Sequence, residues 1–121
     1  MSDDLNKVII ALDTPDEGRA MDLVRQLKNQ VSTFKVGLEL FCSAGPHIVK
    51  KIVDEGCRVF LDLKFHDIPN TVAGASKAAA RSGAFMFNVH AAGGRRMMEM
   101  ARLSAEAAEE SDTPKPLLIA V

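Results

Sequence analysis

Two aspartates and a lysine stand close together in Asp62-Leu63-Lys64-Phe65-His66-Asp67, at the end of an apolar run. On a strand, alternate side chains share a face. Asp62 and Lys64 are therefore expected on one face with Phe60 beneath them, and Leu61 and Leu63 on the other. Opposite charges on an inward face are expensive to bury unless paired. Asp67 falls just past the run, where a loop can fold back or reach a neighbour. Lys35 ends the preceding apolar run and is a candidate neighbour for Asp62. Two lysines and two aspartates would then alternate, each charge beside an opposite one. Such an array keeps a lysine protonated and a carboxylate ionised, because each sits beside an opposite charge. A strand-end Asp–Lys pair taken alone is more often a structural ion pair.

Such a cluster needs elements that bring strand ends together. Val8-Ile9-Ile10-Ala11-Leu12 is a continuous, largely branched run, the pattern of a strand buried on both faces. In Thr14-Pro15-Asp16-Glu17, Thr14 can cap a helix, Pro15 suits its first position and Glu17 completes a capping box. Ala20, Leu23, Val24, Leu27 and Val31 follow at helical spacing. Phe34-Lys35-Val36-Gly37 reads as a second strand. Pro46 opens a helix carrying Ile48, Val49, Ile52 and Val53, with Gly56 as its stop. Val59 to Lys64 is the third strand. A helix from about Asn70 ends near Ser82-Gly83, and Phe85 to His90 is the fourth strand. Gly93-Gly94 leads into a helix with Met97, Met98, Ala101 and Ala105, and Pro116 to Val121 starts a fifth strand.

Strand and helix alternating at roughly 25–30 residues per unit predict an α/β fold with parallel strands. A doubly wound open sheet and a (β/α)8 barrel compete. The dinucleotide fingerprint GxGxxG is missing after the first strand. Polar residues instead mark successive strand ends: Asp13, Lys35, Asp62 with Lys64, and His90. A TIM barrel collects its functional groups at that rim. Since such a barrel needs about 250 residues, residues 1–121 are expected to form the N-terminal half of a single parallel (β/α)8-barrel domain, roughly four βα units and the fifth strand.

The chain is 121 residues, 47% hydrophobic and 26% charged, which fits a globular core and argues against disorder. Fifteen basic and sixteen acidic residues leave a net charge of −1, with no Trp, no Tyr and no basic stripe. Nucleic-acid binding is a poor expectation on that balance, and a phosphate-bearing ligand would need a local site. No apolar run approaches a membrane span, and the start, MSDDLNK, is too polar for a secretory signal. Cys42 and Cys57 lack CxxC spacing, so two reduced, packed thiols in a cytoplasmic protein are expected. His47 and His66 are expected in solvent, and His90 as a hydrogen-bonded rim residue. Gly93-Gly94 could cradle a phosphate at a helix start, which is weak evidence alone.

The run Asp62-Leu-Lys-Phe-His-Asp-Ile-Pro-Asn-Thr-Val72 resembles the signature of orotidine 5′-phosphate decarboxylases. Ala-Leu-Asp13, Phe-Lys35-Val-Gly and Val-His90-Ala-Ala-Gly-Gly resemble that family in the same order and spacing. The resemblance runs from Val8 to Val121. DxKxxD belongs to a wider superfamily, whereas DxKxxDIPNT is far more specific.

The resemblance implies a cofactor-independent, metal-free barrel that converts orotidine monophosphate to uridine monophosphate and carbon dioxide in pyrimidine biosynthesis. It makes Lys64 the proton donor to C6 and sets Asp62 against the substrate carboxylate. It gives Lys35 and Asp13 the ribose hydroxyls, and sends Asp67 and Thr71 into the partner's site of a homodimer. The family's phosphate-gripping loops and lid follow strands six to eight, so this piece alone is expected to be a poor decarboxylase. One alternative is a magnesium-dependent sugar-phosphate decarboxylase or aldolase of the same superfamily. Those proteins resemble this chain in DxKxxD but carry a metal-binding Glu near the position of Lys35, where an ammonium would oppose a cation. Another is an inactive half-barrel.

Overall fold

A computed structural model describes residues 3–108 and 114–121. Met1 and Ser2 of the polar start lie outside it. The chain forms two compact units, one through Asp62 and one from Leu63 onward. The first holds β1 (Ile9–Ala11), α1 (Glu17–Leu27), β2 (Thr33–Gly37), α2 (Leu38–Ala44), α3 (His47–Asp54) and most of β3 (Arg58–Phe65). The second holds the end of β3, α4 (Pro69–Arg81), β4 (Met86–Val89), α5 (Arg95–Ala107) and β5 (Leu117–Ala120). A 3-10 turn, Ala91–Gly93, separates β4 from α5.

Within each unit the strands pair in parallel, each with its neighbour in the chain. Ile9 lies opposite Thr33 and Ala11 opposite Lys35; Lys35 lies opposite Phe60 and Gly37 opposite Asp62. In the second unit Met86 lies opposite Leu117 and Val89 opposite Ala120. Helical crossovers between parallel strands make this an α/β fold, as the alternating pattern predicts.

In the first unit the helix-covered face of the sheet is apolar. Phe34, Val36, Val59 and Leu61 alternate along β2 and β3 and are all buried, against Ala20, Met21 and Val24 of α1 and Ile48, Val49 and Ile52 of α3. Burying a large aliphatic side chain is worth about 1.5–3 kcal/mol, so these residues dominate the unit's stability. Charged residues fasten the outer faces of the helices. Glu55 accepts from Arg25 and Lys28, and Glu17 accepts from Lys51 at 2.9 Å and pairs with His47 at 2.8 Å. His47 is thus partnered, not merely solvated.

Three local expectations need correction. The start of α1 is capped by Asp16, whose carboxylate accepts from the Arg19 N–H. Thr14 is not the cap: its hydroxyl accepts from the Asp16 N–H at 3.2 Å and shapes the turn before the helix. The helix ends at Leu27, short of Val31. Second, β1 is not buried on both faces: Ile9 is 42% exposed and Ala11 is exposed. Both lie beside Thr33 and Lys35 on the face without helices. Third, α2 follows β2 directly, where the sequence carries no capping side chain to announce it. The thiols also differ from expectation: Cys57 is packed, but Cys42 is exposed on α2.

The second unit packs differently. Its helices bury mostly small residues, Ala79, Ala80, Ala101 and Ala105, and Val72 of α4, Val89 of β4 and Met97 and Ala101 of α5 form one buried cluster. Ser104 Oγ donates to the Ala73 carbonyl at 2.6 Å, an approach that bulky side chains would prevent. Gly56 and Gly83 end α3 and α4 with φ of +84° and +89°, as the sequence predicts for helix stops. No helix among the described residues is long and apolar enough to cross a membrane.

Candidate active site

Alternation along β2 and β3 decides which groups face away from the helices. With Phe34 and Val36 on the helix side, Lys35 takes the other face; with Val59 and Leu61 on the helix side, Phe60 and Asp62 join it. Lys35 lies opposite Phe60, so its long side chain leans one step along the sheet to Asp62. Lys35 Nζ stands 3.4 Å from Asp62 Oδ2. The Asp62 side chain is only 9% exposed and that of Lys35 27%. A carboxylate so far removed from water needs a countercharge. Asp13 is exposed just beyond β1. The Leu12 N–H donates to the Lys35 carbonyl at 3.0 Å, which holds this strand end beside Lys35.

Lys64 lies just inside the second unit and is exposed. Its φ is +49°, the single positive value outside glycine among the described residues. The left-handed region costs a residue with a Cβ about 1–2 kcal/mol. Strict alternation was expected to carry Lys64 onto the face of Asp62; the left-handed backbone interrupts the extended geometry on which that expectation rests. The Lys64 N–H donates to Asn88 Oδ1 at 2.9 Å, and Asn88 is 1% exposed on β4. One residue on, the His90 N–H donates to the Phe65 carbonyl at 3.0 Å.

Asp67 and Thr71 are both exposed, in the turn after β3 and the first turn of α4. Asp67 Oδ1 accepts from the Ile68 N–H at 2.7 Å, which orders the turn into α4. The rings of His66 and His90 lie 5.1 Å apart between centroids, tilted by 50°. His90 thus faces a ring, a contact the sequence did not suggest. Gly94, with φ of +95°, stands as the N-cap of α5. Asn88 is the site residue that sequence reasoning missed. A lone amide within the apolar stretch Met86-Phe87-Asn88-Val89 was the available signal, because a buried polar group must find a partner.

Chemically, the first unit supplies a desolvated carboxylate with a fixed countercharge. The second supplies an exposed ammonium on a pinned backbone. The family model described as orotidine 5′-phosphate decarboxylase / HUMPS family matches residues 6–121. The chain is 50% identical over 117 residues to orotidine 5′-phosphate decarboxylase of Moorella thermoacetica, covering 96% of this chain and 46% of that protein. It is 51% identical over 115 residues to the protein of the same name from Hydrogenovibrio crunogenus, covering 95% of this chain and 47% of the relative. A solved structure of orotidine 5′-phosphate decarboxylase from Lactobacillus acidophilus is 40% identical with a TM-score of 0.86, over 93% of this chain and 51% of that one. The chain spans about half the length of the curated relatives it matches.

Proposed function

Because the chain belongs to the orotidine 5′-phosphate decarboxylase / HUMPS family and forms part of a parallel (β/α) barrel, we propose that it carries the charged rim of an enzyme converting orotidine 5′-monophosphate to uridine 5′-monophosphate and carbon dioxide. The observation that carries this reading is the Lys35–Asp62 pair at 3.4 Å on the helix-free face, with Lys64 two residues further along the same strand.

The reaction breaks the bond between C6 and its carboxylate. The bonding pair stays on C6, where no adjacent carbonyl can absorb it. An ammonium held at that carbon stabilises the charge only as it appears, which is the kind of interaction that raises turnover. Lys64 fills that role and then transfers its proton to C6, so carbon dioxide leaves and a C6–H bond forms. Asp62 stands against the substrate carboxylate, and Lys35 holds Asp62 in place. Lys35 and Asp13 take the ribose hydroxyls. Asp67 and Thr71 complete the neighbouring site in a homodimer. No metal or organic cofactor enters, the substrate is a free nucleotide and not nucleic acid, and the cytoplasm is the compartment in which this chemistry runs. The family resemblance supports each of these roles.

The test is absorbance-monitored turnover of orotidine 5′-monophosphate by the complete enzyme, with and without a chelator. Turnover unaffected by the chelator is expected. Activity that disappears with EDTA and returns with Mg²⁺ would instead favour sugar-phosphate chemistry. Mixing inactive Asp67→Ala and Lys64→Ala enzymes tests the shared site. In random dimers about half are mixed, each with one intact site, so activity recovers toward about one quarter of normal per site. No recovery in confirmed mixed dimers would place Asp67 in its own subunit's site.

A further inference from the structure

We infer that Asn88 is a positioning residue for Lys64: its buried side-chain oxygen holds the Lys64 backbone in the left-handed conformation from which the ammonium is aimed. Three observations meet here. Lys64 is the single described residue with a Cβ at positive φ, at +49°; the others, Gly45, Gly56, Gly83 and Gly94, are all glycines. A strained conformation persists only when its surroundings over-determine it. The Lys64 N–H donates to Asn88 Oδ1 at 2.9 Å. Asn88 is itself locked, being 1% exposed between Phe87 and Val89, which are both buried on the opposite face of β4.

The next link is an ordinary one. The His90 N–H donates to the Phe65 carbonyl at 3.0 Å, main chain to main chain. β3 is therefore fastened to β4 at two successive residues by different means, a side-chain amide at Lys64 and the backbone at Phe65. A side-chain acceptor reaches an N–H that the left-handed turn has rotated. Without it, Lys64 can relax toward an extended φ, and its Cα–Cβ bond swings with it. An amide suits the task because it accepts the bond while adding no charge near the ammonium.

The inference rests on the proposed decarboxylase reading for its kinetic consequence, but its structural consequence is independent. In the complete enzyme, Asn88→Ala is expected to lower kcat about 10- to 100-fold, as a misplaced catalytic group does. KM and affinity for uridine 5′-monophosphate should change less than about threefold, because the binding groups are untouched. A crystal structure of that variant should show Lys64 at negative φ. Asn88→Asp keeps an oxygen at the same place and should keep Lys64 at positive φ, whatever its added charge does to turnover. A folded Asn88→Ala enzyme with Lys64 still at positive φ, or with kcat within twofold of the parent, overturns the inference. Should the alanine variant not fold, Asn88→Asp decides: Lys64 kept at positive φ supports the inference, and Lys64 at negative φ with the oxygen still in place overturns it. If the parent enzyme itself does not turn over orotidine 5′-monophosphate, the decarboxylase reading falls, and the φ of Lys64 in the variants still decides the inference.

Discussion

Asp62 and Lys64 are two residues apart on one strand, yet they are held by opposite means. Asp62, at the end of the first unit, sits in ordinary extended geometry, almost out of water, and is fixed through charge by Lys35 at 3.4 Å. Lys64, at the start of the second, is exposed and fixed through its backbone, with φ of +49° and its N–H on Asn88. A carboxylate that must stay put can be clamped by a countercharge. The main chain of Lys64 is held instead by a hydrogen bond to a neutral, buried amide.

The contrast breaks most visibly at Lys64. Lys64→Ala in the complete enzyme should lower turnover by about 10³-fold or more, as loss of a proton donor and of charge stabilisation does. The thermal midpoint should barely move, because the residue is exposed and its backbone is strained. Near-normal turnover would remove Lys64 from the chemistry.

Lys35→Ala should act on both stability and rate. It withdraws the nearby ammonium from a buried carboxylate, at a loss of about 1–3 kcal/mol in denaturant melts. Adding Asp62→Leu should recover much of that stability and none of the activity, since apolar replacement of a buried pair is often neutral. A double variant that regains turnover would break the comparison at its charged end.

Gly93→Ala probes the packing of the second unit. A methyl group there would meet the sulfur and terminal methyl of Met97, which is fully buried, with His66 alongside. A loss of about 1–2 kcal/mol is expected, the usual effect of overpacking. The smallest effect lies on the first unit's surface. Lys51 and His47 hold the Glu17 carboxyl below its ordinary value of 4.5, and Lys28 and Arg25 do the same for Glu55. A depressed carboxylate stabilises the fold above its unfolded value and loses that contribution as pH falls through the folded one. Melts stepped downward from pH 4.5 should therefore weaken, and Glu17→Gln with Glu55→Gln should flatten the slope. The slope should also shrink in high salt, because both groups are at the surface.

Much of this molecule is legible in its sequence because burial writes itself as pattern. The strands read from Phe34 and Val59 and the helix read from about Asn70 lie within one residue of β2, β3 and α4, and follow from apolar runs and a glycine stop. The α1 cap misleads because Thr14 and Asp16 both offer an oxygen near a helix start, and only the chain's turn selects Asp16. Helix α2 hides because Gly37 supplies no capping side chain and Leu38–Ala44 is short. At the site, the types and spacing of Asp62, Lys64 and Lys35 announce charge chemistry. The left-handed backbone at Lys64 does not, because lysine carries no signal for it as glycine or asparagine would. Its cause lies 24 residues away in Asn88, on another strand.

The sheet's neighbour-to-neighbour pairing also bears on how fast it can form. Ile9 meets Thr33, Thr33 meets Arg58 and Met86 meets Leu117, separations of 24, 25 and 31 residues. Closure entropy grows only with the logarithm of loop length, so the longest of these closures exceeds the shortest by about 0.2 kcal/mol. Within each unit the crossovers are therefore nearly equal steps in closure entropy. Which crossover docks first is then decided by how well its helix packs, and α3, which buries Ile48, Val49 and Ile52, offers more apolar surface for that than α4, which buries Val72, Ser76, Ala79 and Ala80.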